Sequence, residues 1–184
     1  RILKQYSNNM DLTKFATLSS LFALLMVVSA KILIPMNGEL ISIQLFFVVL
    51  AALVGGNMIG LTAQLIYIMF GFFVPVFSNN ELAAIFFTHP NHLFQLLYPL
   101  IALAIGSYIS IYKGLWLSIS HSFLIILMSI LVFILMYFGL TDKLALSNYL
   151  QKNTAMLISY FIETIIAVVL FFYWQKINRK SITH

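Results

Sequence analysis

The chain has 184 residues, of which 62% are hydrophobic and only 8% are charged. A soluble domain is roughly half apolar and about a quarter charged, so this composition cannot cover a globule with a water-compatible surface. The absence of cysteine excludes disulfides, thiolate metal ligands and cysteine nucleophiles. The net charge of +5 comes mostly from residues near the chain ends, which favours membrane topology over nucleic-acid binding.

The apolar residues form six runs that approach or reach the roughly 20 residues needed to cross a bilayer as a helix. The predicted spans are 13–34, 41–54, 58–74, 93–110, 115–138 and 155–174. The first run is interpreted as a span and not as a cleaved signal peptide, because five further hydrophobic runs follow it. The predicted fold is therefore an all-α integral membrane protein, a compact bundle of six transmembrane helices that forms one substrate-binding domain over residues 1–184.

The second and third spans are short and are separated only by Gly55, Gly56 and Asn57. Glycine permits the positive φ angles that reverse a chain in so few residues. The two spans are therefore predicted to form an antiparallel hairpin. A loop begins at Pro35, and the longest loop covers residues 75–92.

The lysines and arginines predict how the bundle is oriented. With six spans both termini lie on the same side, and seven of the ten cationic residues fall on that side. The positive-inside rule then predicts that both termini are cytoplasmic. The loops after the first, third and fifth spans face outward.

Glu163 is the only acidic residue inside a predicted span, about two turns below the outer end of the sixth. An ionisable residue at that depth is costly and is a functional hypothesis by default. Ser159 and Tyr160 precede it by four and three residues, so the three side chains share one helix face. Glu163 either contacts a ligand or joins helices by pairing with Lys31 or a glutamine. As a hydrogen-bond acceptor it would select a ligand with N–H or cationic donors.

Other polar residues at the outer level have two interpretations each. Gln44 either presents its amide to a bound molecule or connects two helices. Asn79, Asn80 and Glu81 are either solvated loop residues or part of a lid over the site.

The sequence shows no sign of a metal, a cofactor or a catalytic motif. His89 and His92 are the only histidines close enough to share a metal, and without an adjacent acidic residue they are interpreted as interfacial loop residues. HExxH, GxSxG and GxxxxGK[ST] motifs are missing, so any ATP hydrolysis must lie in another subunit. A lipid-modifying enzyme that uses Glu163 with His92 or His121 is a less favoured alternative, as is a channel.

Small residues follow one face of the first span. Ala16, Ser20, Ala23 and Ala30 are spaced by four, three and seven residues, and small residues allow close helix approach in lipid. The stripe serves either internal packing or the docking of a partner membrane protein.

Residues 32–77 carry an ordered set of motifs. An Ile-Pro precedes a short glycine-containing loop, Ile-Ser-Ile-Gln opens the second span, and a glycine pair marks the hairpin turn. A Tyr-x-x-x-Gly that leads to Val-Pro-Val-Phe completes the set. These residues resemble the BioY family, the biotin-binding S components of energy-coupling factor (ECF) transporters.

The resemblance implies an S component that takes a vitamin from outside the cell and has no enzymatic activity of its own. It implies a prokaryotic plasma membrane, a membrane-embedded coupling T component and two cytoplasmic ABC-type ATPases as partners. In the family, small residues of the first helix contact the T component, and Ala16, Ser20 and Ala23 are similar.

The chain departs from the family pattern at two places. Family members carry a Gly-Gly-Tyr cluster at the start of the fourth helix, where this chain has residues 90–93, and Asn91 and His92 are taken as candidate substrate contacts. In the sixth helix the family has an aspartate followed three residues later by a lysine, which correspond here to Glu163 and Ile166. Loss of one charge-assisted hydrogen bond costs about 1.5–3 kcal/mol. The motif resemblance makes biotin the expected substrate, and the missing lysine leaves a different small molecule as the alternative.

Overall fold

The computed structural model describes residues 11–36, 39–78, 80–86, 94–109, 115–138 and 154–181, and the statements below concern these ranges. The elements are α1 (Leu12–Lys31), β1 (Leu33–Met36), β2 (Glu39–Ser42), α2 (Gln44–Gly71), α3 (Ala83–Phe86), a 3₁₀ turn (Phe94–Leu97), α4 (Tyr98–Ile109), α5 (Leu115–Phe138) and α6 (Thr154–Ser181). The architecture is a helical bundle with one small antiparallel hairpin.

Four helices of the described chain, α1, α2, α5 and α6, are long and apolar enough to cross a membrane. The apolar segment Phe94–Tyr108 is shorter. Since α2 consists of two helices joined at a kink, the six predicted spans correspond to α1, the two halves of α2, α4, α5 and α6. Many large apolar side chains on these helices are exposed, as expected of a surface that faces lipid.

The kink in α2 lies at Gly56, whose φ of 82° and ψ of 178° are not helical. A Cβ at Gly60 would lie only 3.0 Å from the Cα of Ala52. In a straight helix residues eight apart are separated by about 12 Å. The chain therefore reverses at Gly56, and the predicted hairpin is present.

The tip of this hairpin packs against α4 at Gly106. A Cβ at that position would clash with the backbone nitrogen and the Cα of Asn57. The Asn57 side-chain amide also donates to the Ser107 hydroxyl, with 3.1 Å between nitrogen and oxygen. Only a residue without a side chain permits this approach of the two backbones.

The boundaries differ from the predicted ones where the chain leaves α1. The first span was expected to reach residue 34, but Ile32 is extended and Leu33 to Met36 pair with Glu39 to Ser42. The second span was predicted to begin near residue 41, and for the same reason the helix begins three residues later, at Gln44. Proline at position 35 has no N–H and disfavours helix. The Asn-Gly pair left between the strands is the sequence that two-residue hairpin loops prefer.

Elsewhere the helices follow the hydrophobic runs closely. α5 has the predicted limits of 115 and 138, whereas α6 continues past residue 174 to Ser181. α4 starts after the 3₁₀ turn, with Pro99 in its first turn, where proline is tolerated. The apolar run alone could not locate the end of α6, because a polar helix can continue beyond the bilayer.

The core is centred on α2, which packs against α1, α4 and α6, while α5 packs against α4 and α6. At the end where α4 and α6 finish and α5 begins, large aromatic side chains are exposed: Tyr108, Trp116, Tyr173 and Trp174. Tyrosine and tryptophan concentrate at membrane–water interfaces. The molecule is therefore a multi-pass membrane protein with an aromatic belt at this end.

Replacing Gly106 by alanine is expected to lower the stability of the protein by about 1–3 kcal/mol, because the added methyl group overpacks the contact with Asn57. Thermal unfolding of the purified protein in detergent measures the effect. Ser107→Ala is the comparison, since it adds no atoms and removes the hydrogen bond from Asn57 and the one that Ser107 donates to the Leu103 carbonyl, each worth about 1 kcal/mol. A Gly106→Ala protein that unfolds at the parental temperature would contradict the described docking.

Candidate functional site

Glu163 from α6 reaches the start of α2. Its side chain is 6% exposed, and its Oε2 accepts a hydrogen bond from the Phe46 N–H, with 2.9 Å between nitrogen and oxygen. Phe46 is the third residue of α2, and the N–H groups of a first helical turn have no partner within the helix. Ile43 occupies the N-cap position and provides no side-chain cap. Glu163 therefore caps α2 from a neighbouring helix.

This contact decides how the carboxylate is held between helices. Lys31 does not pair with Glu163, because its ammonium donates instead to the Pro75 and Phe77 carbonyls and to Asn80 Oδ1. Glu163 thus joins α6 to α2 through a backbone N–H of α2 and not through Lys31. A negative charge at a helix N-terminus also interacts favourably with the helix dipole.

Three polar atoms near the start of α2 are buried without a hydrogen bond of good geometry to any described residue. They are Glu163 Oε1, Gln44 Nε2 and the Tyr67 hydroxyl. Gln44 and Tyr67 are each 1% exposed, and their side chains lie beside each other. Buried polar groups in proteins almost always have partners. The Glu163 carboxylate and the neighbouring Gln44 and Tyr67 side chains are therefore candidates for contacts with a ligand.

Aromatic rings surround these polar atoms. Phe94 stacks on Tyr160 with ring centroids 5.2 Å apart and meets the edge of Tyr98 at 5.7 Å. Tyr67 meets the ring of Phe77 edge-on at 5.2 Å. Tyr98 also meets the ring of Tyr160 edge-on, with centroids 6.4 Å apart. The result is an apolar wall around a few convergent polar groups, which is typical of small-molecule sites.

Four of the residues predicted from the sequence meet in this site. Ser159 and Tyr160 lie on the buried face of α6 with Glu163, at 7% and 4% exposure, and Gln44 approaches from α2. The Ser159 hydroxyl donates to the Met156 carbonyl at 2.8 Å and lies beside the Glu163 carboxylate. The other two predicted contacts, Asn91 and His92, lie outside the described residues.

Ile166 is placed differently from the expectation. Its side chain is 47% exposed, whereas Glu163, Thr164 and Ala167 around it on α6 are buried. A side chain at position 166 therefore starts from the outer face of the helix. Its placement does not support the interpretation that isoleucine here removes a ligand contact from the site.

The wall residues Tyr67, Phe77, Phe94 and Tyr98 were not identified as site residues from the sequence. Tyr67 and Phe77 did belong to the Tyr-x-x-x-Gly and Val-Pro-Val-Phe motifs, which was the available signal. Phe94 and Tyr98 carried no such signal, because an aromatic residue in an apolar run is usually a packing residue.

The stripe of small residues on α1 divides into two parts. Ala16 and Ser20 are exposed, whereas Ala23 is only 4% exposed and belongs to the core. Internal packing thus accounts for Ala23. Only the first two residues of the predicted stripe form a surface.

The geometry does not support the catalytic alternative that pairs Glu163 with His121, and His92 lies outside the described residues. The His121 ring stacks on Tyr108, with centroids 5.1 Å apart. Tyr108 lies ten residues beyond Tyr98 on α4, about 15 Å along the helix axis. His121 is therefore not within hydrogen-bond reach of Glu163. Within the described ranges no group of three histidine or acidic side chains could hold a metal ion.

The fold and the site define a multi-pass membrane protein with a cluster of buried polar groups and aromatic rings between its helices. The BioY family model matches residues 4–180, and the chain belongs to the BioY family. Among solved structures, the chain resembles a crystal structure of the S-component for biotin from an ECF-type ABC transporter. The TM-score is 0.72 at 15% sequence identity, over 91% of this chain and 95% of that chain. No curated protein sequence matches the chain.

Glu163→Ala is expected to lower the stability of the ligand-free protein by about 1–3 kcal/mol, because it leaves buried N–H groups of α2 without an acceptor. Glu163→Gln is the matched control, since its amide oxygen can still accept from Phe46 and should restore most of the loss. Thermal unfolding in detergent without ligand compares the three proteins. Equal unfolding temperatures for Glu163→Ala and the parent would show that the carboxylate does not cap α2.

Proposed function

We propose that this chain is the substrate-binding S component of an ECF-type importer and that biotin is its substrate. The observation that carries the proposal is that the two carboxylate oxygens of Glu163 have different surroundings. One carboxylate oxygen is held by α2, and the other is buried and makes no hydrogen bond of good geometry with the described residues. Membership of the BioY family supports the same conclusion.

The chemistry of biotin suits these groups. Its ureido ring presents two N–H donors and one carbonyl acceptor. Glu163 Oε1 would accept from a ureido N–H, and Gln44 Nε2 or the Tyr67 hydroxyl would donate to the carbonyl. The apolar part of the fused ring would pack on the rings of Phe94, Tyr98 and Tyr160. A molecule without N–H donors would leave Glu163 Oε1 unpaired, so the site would discriminate against it.

The energy for transport would come from other subunits. We place both termini in the cytoplasm of a prokaryotic cell, so that the Glu163 site lies toward the outer surface. A membrane-embedded T component would contact α1, where Ala16 and Ser20 leave a shallow exposed surface. Two cytoplasmic ABC-type ATPases would complete the transporter, because the sequence has no nucleotide-binding motif of its own.

The purified chain is expected to bind biotin with a dissociation constant in the nanomolar to micromolar range, and Glu163→Ala is expected to abolish binding. Gln44→Leu should weaken it about 3- to 10-fold through the loss of one neutral hydrogen bond. Ile166→Ala, an exposed position on the same helix, is the control and should bind as the parent does. Isothermal titration calorimetry in detergent measures all four proteins.

Competition by lipoate tests whether binding requires the ureido N–H donors of biotin. Lipoate is also a sulfur heterocycle with a valerate chain, but it has no ureido N–H donors and should not displace biotin. A folded parent protein that fails to bind biotin would point to another small molecule with N–H donors. Loss of binding in Ile166→Ala would mean that this face of α6 reaches the ligand.

Larger side chains on the exposed part of α1 are expected to impair uptake without affecting binding. Ala16→Leu and Ser20→Leu should lower biotin transport in cells that contain the whole transporter, because bulky residues prevent close helix approach. Biotin binding by the isolated variants is the control. Leu24→Ala, which reduces an exposed side chain on the same helix, provides the comparison. Normal uptake by both leucine variants would place the T component elsewhere.

A further inference from the structure

Lys31 makes an unusual set of contacts that the proposed binding site does not use. It is the last residue of α1, and its ammonium donates to the Pro75 carbonyl at 2.9 Å, to the Phe77 carbonyl and to Asn80 Oδ1 at 2.7 Å. An ammonium group has three donors, and these contacts use all of them. One cation thus connects the end of α1 to the segment that follows α2.

The segment after α2 turns so that three of its oxygen atoms face this ammonium, on the exposed side of the bundle. The Asn80 N–H donates to the Phe77 carbonyl at 3.0 Å, and Asn80 has a φ of 58°. Asparagine is one of the few residues other than glycine that adopt positive φ without large strain. Without the cation, the Pro75 carbonyl and Asn80 Oδ1 would lose this donor, and the Phe77 carbonyl would keep the Asn80 N–H. The conformation of residues 75–78 and Asn80 therefore depends on Lys31.

The same segment covers one wall of the site. The Phe77 side chain is fully buried, meets Tyr67 edge-on and packs so closely on Gly71 that a Cβ there would clash with its ring. Val76 beside it is 3% exposed. Tyr67 in turn places its hydroxyl beside Gln44. Movement of the segment away from α2 would withdraw Phe77 and uncover Tyr67.

We propose that Lys31 is a positioning residue that latches this segment over the site and thereby slows exchange of the bound molecule. Residues 75–78 and Asn80, with Phe77 as the part that enters the core, form the latched segment. The identity of that molecule rests on the proposed function, but the closed position of the segment does not. Lys31 touches no group of the polar site itself, so its effect is on access and not on recognition.

The absence of cysteine from the chain allows a direct test of closure. Val76→Cys places one thiol on the latched segment, where a water-soluble maleimide reaches it only when the segment opens. Adding Lys31→Met should accelerate labelling about tenfold, the size expected for losing hydrogen bonds to a charged group. Lys31→Arg should restore slow labelling, and Lys14→Met, at the other end of α1, is the control. Equal labelling rates with methionine and lysine at position 31 would overturn the proposal.

Exchange kinetics then test the consequence for the site. In Lys31→Met, both association and dissociation rates of radiolabelled biotin should rise, since an open segment admits and releases ligand faster. Damage to the site alone would raise the dissociation rate and leave the association rate unchanged, which would contradict a latch. If the parent binds no biotin, the proposed function fails, while the labelling experiment still decides the role of Lys31.

Discussion

The contact between Glu163 and the first turn of α2 is the constraint on which the rest of the structure depends. It joins the last helix of the chain to the helix at the centre of the bundle, across a sequence separation of 117 residues. In a bilayer, a carboxylate and unpaired N–H groups are each costly to bury, and each satisfies the other. This contact fixes the position of α6 against α2, and the aromatic rings of α4 and α6 and the Gln44 amide lie near it.

The hydrophobic runs predicted the number of helices and most of their extents, because the bilayer imposes both length and apolarity. Hairpin formation at Gly55 to Asn57 was predictable from local backbone chemistry. It has a large geometric effect, since Gln44 and Tyr67 would lie about 34 Å apart on a straight helix and instead lie side by side. The strands between α1 and α2 were missed because a search for apolar runs reads Ile and Leu as helix even beside Asn-Gly.

The site was predictable only in part, for a physical reason. Glu163, Ser159, Tyr160 and Gln44 could be found because polar atoms inside an apolar run are conspicuous, and helical spacing places three of them together. The capping role of Glu163 depends on a distant segment of the chain, so no spacing rule reveals it. Tyr98 and Phe94 could not be predicted as site residues, because aromatic residues in an apolar run look like ordinary packing residues. Ile166 shows that sequence alignment with a family pattern does not determine which face a residue occupies.

The two oxygens of Glu163 have a consequence for how such a protein can evolve. A residue that only contacts ligand can be exchanged when the substrate changes, but this carboxylate also stabilises α2. Drift at position 163 is therefore restricted to side chains that still offer an acceptor to the Phe46 N–H. New substrate preferences would have to arise at other residues of the site that do not cap α2, such as Gln44 and Tyr67. Glu163 is thus the residue of the site that is least able to change when the substrate preference of the protein changes.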